Sequence, residues 1–246
     1  MRSHIKTSQM TDMPQFDQNE SRNAETIYRP LKRLSSIAGM DILAAAKTAN
    51  SEIDLDGNVI LWEIIFYLIF LVDLAAFKNN QSKETRQKLQ SYILMRANEE
   101  ENAYPKDGLN RLEQFCLVRL ESYGQVARNA ETKEESISYT LALIDAYIGC
   151  GWSNGTMCPE TLTASGDHNF PVVLLPSGAV LIGDIFHKMW IMEAFLQMGL
   201  LKRIDAFIVS LNKLFSSDED FLHLSESQLE GVIAKAGWAE WLDEND

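Results

Sequence analysis

At 246 residues and 46% hydrophobic side chains, the chain is long enough to build a core without disulfide or metal staples. Six prolines and thirteen glycines are few for this length, and Leu, Ala, Glu, Lys and Ile dominate. That composition argues against a turn-rich sheet fold and predicts an all-α, multi-helix bundle. A formal charge of −13 excludes non-specific binding to nucleic-acid phosphates and leaves a protein partner or a cation as the compatible ligands.

Residues 1–24 are polar, lack the continuous apolar core of a signal peptide, and are expected to form a disordered arm ahead of one helical domain over 25–246. Cys116, Cys150 and Cys158 are an odd number behind no secretory leader, which speaks against a disulfide framework and for a reducing cytoplasm. The first helix is predicted from near Glu25 or Pro30 to about Asn50, because Leu31, Leu34, Ile37 and Met40 to Ala44 recur at helical spacing.

The segment that follows is Glu52-Ile-Asp54-Leu-Asp56-Gly57-Asn58-Val59-Ile60-Leu61-Trp62-Glu63. A hard cation takes several oxygen ligands, and alternate carboxylates, a turning glycine and a closing glutamate supply them. The segment resembles an EF-hand calcium loop, with Glu52 in place of the family's first aspartate and Ile60 in its ninth place. The resemblance implies Ca2+ held by Glu52, Asp54, Asp56, the Asn58 carbonyl and Glu63. The flanks, Leu43-Ala-Ala-Ala-Lys-Thr-Ala49 before Asp56-Gly57 and Glu63, also resemble the small helical domain of the tellurite-resistance type. An Asx-type turn at Asp56-Gly57 leading into a helix with an acid in its first turn explains the same residues without an ion.

Residues 59–77 are apolar over a membrane-spanning length but contain Glu63 and Asp73. Taking about −0.5 kcal/mol for each large aliphatic side chain or Phe, and about +3 for each acid, brings the insertion sum near zero. With no basic cluster on either flank, the expectation is the central helix of a soluble bundle, a membrane span being the alternative. Ten residues apart on one helix, Glu63 and Asp73 cannot form a close dyad, so each needs its own partner, for which Arg96, Arg111 and Arg119 are the candidates.

Ser82 is expected to cap a third helix running to about Glu100, with Leu89, Tyr92, Ile93 and Arg96 on one side. Leu112, Phe115, Cys116, Leu120 and Tyr123 mark a fourth helix, and Ile137, Leu141, Ile144 and Ile148 a fifth. From Gly149 the chain turns irregular, with a sub-boundary near 150, and Pro171 to Gly183 fits either a small hairpin turning at Ser177-Gly178 or two ends of buried loop. Gly178-x-Val180-x-x-x-Asp184 echoes Gly57-x-Val59-x-x-x-Glu63, as a duplicated turn-plus-helix unit would. Helices resume over 184–199 and 201–215, and Ser225 with Gln228 forms a capping box for a last helix ending at Trp241.

No Gly-rich nucleotide loop or Glu-x-x-His pair is present, and Cys150, Cys158, His168 and His187 lie too far apart in sequence for the ligand pairs of a small zinc module. The reading is therefore a non-enzymatic helical interaction or regulatory protein, its first interhelical loop a candidate for a divalent cation. The alternative enzyme is a cysteine-dependent hydrolase or transferase, with Cys158 as nucleophile and His168 or His187 as base. The Met-rich stretch from His187 to Met198 is a candidate partner surface, though such a stripe is more often core, and the partly exposed aromatic and acidic end from Trp238 to Asp246 either docks on a basic partner or solubilises the terminus.

Overall fold

The computed structural model describes residues 15–49, 57–101, 108–132, 136, 140, 143–144, 172–174, 180–182 and 199–242. Helix α1 (Gln18–Ala49) starts well inside the expected arm. The reason is local: the Glu20 amide donates to Asp17 Oδ1 at 2.9 Å and the Asp17 amide to Glu20 Oε2 at 3.0 Å, a capping box that opens the helix. Asn23 and Ala24, also in the expected arm, are fully buried. From there Ala24, Ile27, Tyr28, Leu31, Leu34, Ala38, Ile42 and Ala45 draw one apolar stripe along α1.

Helix α2 (Gly57–Lys78) is apolar on every side, and it packs against α1, α3 (Lys83–Glu101), α4 (Gly108–Asn129) and α5 (Leu200–Leu214). It is long and apolar enough to cross a membrane, and 78% of its most apolar window is buried by the other helices. This is the expected central helix. A helix with no polar face needs apolar neighbours all round, and each large side chain so buried contributes about 1.5–3 kcal/mol.

Asn80, at φ 59°, ends α2: the Gln81 amide returns to the Ala76 carbonyl at 3.0 Å and the Asn80 amide to the Phe77 carbonyl at 3.1 Å. Asparagine takes the left-handed position that glycine usually fills. Ser82 then caps α3 by accepting the Thr85 amide at 3.0 Å, as expected. In α4 Leu112, Phe115, Cys116 and Tyr123 are buried and Leu120 packs against them, again the predicted face. Of the fifth predicted helix, Ser136, Thr140, Leu143 and Ile144 are helical, while Ile137, Leu141 and Ile148 lie outside the described residues.

Strands β1 (Val172–Leu174) and β2 (Val180–Ile182) pair antiparallel, with Val173 opposite Leu181, which is the hairpin of the two expected alternatives. Val180 is thus in a strand whereas Val59 is in a helix, so the sequence echo between them is not a repeated structural unit. After α5, a 3-10 turn (Phe221–His223) leads to α6 (Glu226–Ala236), which carries the predicted Ser225–Gln228 capping box. The helix does not continue to Trp241: Gly237, at φ 65°, stops it and a short α7 (Ala239–Leu242) follows.

The turn at Gly237 aims Trp238 into the core. Its side chain is fully buried against Phe207, and its Nε1–H donates to the Thr26 carbonyl at 2.9 Å. That carbonyl has no helical donor, because residue 30, four positions on, is proline. Proline in a helix interior normally costs the helix a hydrogen bond; here the indole replaces it. Trp238 is therefore part of the core, and the partly exposed end expected from the sequence begins after it, with Glu240 exposed and Trp241 half-buried.

Candidate functional site

Of the candidate cation ligands, Glu52, Asp54 and Asp56 lie outside the described residues, and Asn58 is exposed in the first turn of α2. Glu63 is fully buried, and both its oxygens are taken by Arg119 of α4, Oε1 by Nη2 at 2.6 Å and Oε2 by Nε at 3.0 Å. A fork-to-fork pair of this kind leaves no carboxylate edge for a metal in the observed arrangement. Asp73, as expected, also has a basic partner, but the partner is Arg86: the two guanidinium bonds measure 2.8 and 2.7 Å, and Gln90 adds a third at 2.9 Å. Arg86 also lies over the Phe77 ring, 5.0 Å from its centroid. Both acids of α2 thus tie it to its neighbours.

Cys150, Cys158, His168 and His187, the residues of the enzyme reading, and the Met-rich stretch likewise lie outside the described residues. Cys116 is buried in the core, where desolvation first and the nearby Asp73 carboxylate second push its thiol far above the usual range. It is inert as a nucleophile. Among the described residues no group of three His, Cys, Asp or Glu side chains is arranged to hold a metal ion.

The structure brings together a site that the sequence did not announce. Helices α2 and α5 run side by side in the same direction, with Asn79 just past the end of α2 bonded to Asn212 near the end of α5 at 3.1 Å. Between them lies a cavity of about 580 Å³, partly open to solvent. Phe70, Leu71 and Leu74 of α2 and Leu201, Ile204 and Ile208 of α5 make its walls apolar. Polar groups line it too: Tyr67, close enough to Asp205 to feel its charge, Thr140, and Lys78 with Asn212 at the end where both helices stop. The half-buried Tyr67 phenol is pushed above its ordinary range, by desolvation first and by the Asp205 carboxylate second, so it stays protonated and able to donate. Its ring stands edge-on to Tyr123, 5.4 Å between centroids.

Lys78 also lines a polar hollow of about 340 Å³ between residues 79–82 and residues 216–220. These two turns are cross-linked. The Gln81 amide group accepts from the Phe221 backbone at 2.8 Å and donates to the Glu219 carbonyl at 3.2 Å, and Asp220 accepts from the Thr85 hydroxyl. The hollow is built as a joint between two turns; of its three acids, Asp220 is engaged by Thr85 and Glu219 by Gln228, and Asp218 also lines it. The chain matches no protein-family model, no curated protein and no solved structure, so the geometry alone carries the functional argument.

Proposed function

We propose that the protein acts by binding, as a helical interaction or regulatory protein whose α2–α5 groove receives an apolar segment of a partner protein. The single observation behind this reading is the groove itself: about 580 Å³, apolar along its walls, with polar groups among them, and open on one side. Its volume lies in the range of ligand sites, but a small molecule there would keep much of its surface in water. A protein segment brings its own polar outer face. A divalent cation in the 52–63 loop, resting on Glu52, Asp54, Asp56 and the Asn58 carbonyl, would be a further regulator of the α1–α2 joint, with Glu63 released to it only if Arg119 lets go.

The test is a titration of the full chain with the apolar dye 1-anilinonaphthalene-8-sulfonate. Val209, on the rim of the groove and 54% exposed, is the position to fill. Saturable emission that Val209→Trp removes, with the circular dichroism unchanged, supports the reading. Emission that is absent, or indifferent to Val209→Trp, overturns it.

A further inference from the structure

We propose, resting on the groove reading above, that the partner segment is an amphipathic helix of about three turns, lying antiparallel to α2 and α5 with its acidic first turn at Lys78. Length comes first. Tyr67 and Lys78 mark the ends of the groove on α2, and eleven residues at about 1.5 Å each span about 16 Å, three helical turns. Anchors at i, i+3 or i+4, and i+7 would enter between Phe70, Leu74, Ile204 and Ile208, while the opposite polar face stays in water through the open side.

Direction follows from the electrostatics of the walls. Helices α2 and α5 are parallel, so the negative ends of their dipoles both point to the Lys78 and Asn212 end. A third helix laid antiparallel puts its positive amino end there. Lys78 is exposed and has no ion pair or hydrogen bond among the described residues, although the chain as a whole carries an excess of acid. An acid in the first turn of the incoming helix therefore meets both its own dipole and a free ammonium. At the far end the Tyr67 hydroxyl has no hydrogen-bond partner among the described residues and is held protonated. It is placed to donate to one of the last carbonyls of the incoming helix, which have no donors of their own. A basic residue in that last turn meets the negative end of the incoming helix's own dipole.

Two capped, fluorescein-labelled peptides of one composition test this against the full-length protein by anisotropy at low salt. One has Glu in its first turn and Lys in its last; the other has them exchanged, with the same Leu anchors. Tighter binding of the acid-first peptide by about fivefold or more is expected from two such end contacts. Lys78→Glu should remove or reverse that preference, and Val209→Trp should weaken both peptides. Equal binding of the two, still weakened by Val209→Trp, overturns the polarity and leaves the groove reading intact. Binding by neither peptide, with no displacement of the dye by laurate, overturns both and assigns the groove to the chain's own residues. Displacement of the dye by laurate, with no binding by either peptide, overturns the helix in favour of a small amphiphile.

Discussion

The joint between the two ends of the chain and the groove between α2 and α5 treat polar groups in opposite ways. At the joint, side chains answer backbone groups that the helices leave open. Asn23, fully buried, donates to the carbonyls of Phe221, Leu222 and Leu224 at 2.9–3.0 Å, Gln81 pairs with the backbone around Asp220, and Trp238 supplies the donor that Pro30 withholds. In the groove, Tyr67 and Lys78 are left without hydrogen-bond partners among the described residues, beside apolar walls that reach solvent. Leaving a buried donor or acceptor unmade costs about 1–3 kcal/mol, which the joint avoids, whereas the exposed Lys78 and half-buried Tyr67 can be served by water until a ligand replaces it.

Substitutions can break that contrast, and the largest effect is expected within the bundle itself. Arg119→Met strands Glu63 as an uncompensated buried charge and should cost about 3–5 kcal/mol in urea unfolding, whereas adding Glu63→Gln should recover most of the loss. Removal of the Trp238 donor comes next. Trp238→Phe should cost about 1–3 kcal/mol by leaving the Thr26 carbonyl unanswered, and Pro30→Ala, which restores a helical N–H, should reduce that cost in a double-mutant cycle. An equal cost of Trp238→Phe with and without the Pro30→Ala substitution would show that the indole hydrogen bond contributes nothing.

A smaller change is expected in acid. At Glu25 desolvation raises the carboxyl pKa, but hydrogen bonds from Tyr92 and Arg29 and the charge of Arg96 outweigh it, holding the group below its ordinary 4.5. A depressed pKa contributes stability that is present above the unfolded value and lost as pH falls through the folded one. Glu25→Gln should therefore flatten the fall in stability below about pH 4.5, measured as the urea midpoint against pH. Val209→Trp, on the groove rim, should leave stability within about 0.5 kcal/mol while removing the dye signal. The smallest signal is expected from terbium excited through Trp62: with Glu63 held by Arg119, an ion on Glu52, Asp54, Asp56 and the Asn58 carbonyl should give weak but saturable emission that calcium displaces and Asp56→Ala abolishes. Absence of any such emission from the folded protein would remove the loop as a cation site.

Much of the fold was legible because it is local. The central role of α2 follows from a helix with no polar face, Ser82 and Ser225 announce their caps, and the need of Glu63 for a basic partner is implied by its apolar surroundings, with Arg119 among the candidates. The start of α1 was also written locally, in Asp17-x-x-Glu20, but the polar composition of the segment outweighed a four-residue signal. What was not legible depends on residues far apart. Trp238 is read as a surface aromatic until Pro30 is known to lie beneath it, and Arg86 becomes the partner of Asp73 only once the α2–α3 turn folds one helix back on the other. The groove belongs to neither α2 nor α5 alone, so no pattern within either helix could have marked it.

The bond between Trp238 and Thr26 has a consequence for the order in which the chain is completed. Helix α1 is the first described helix to emerge during synthesis, yet one of its carbonyls finds its donor 212 residues later. Asn23, one turn earlier, likewise waits for residues 221–224. Without Trp238 the Thr26 carbonyl, which Pro30 deprives of its helical donor, has only water to bond. Closure of that gap requires Trp238, so α1 reaches its full set of hydrogen bonds only after the residues around Gly237 are in place.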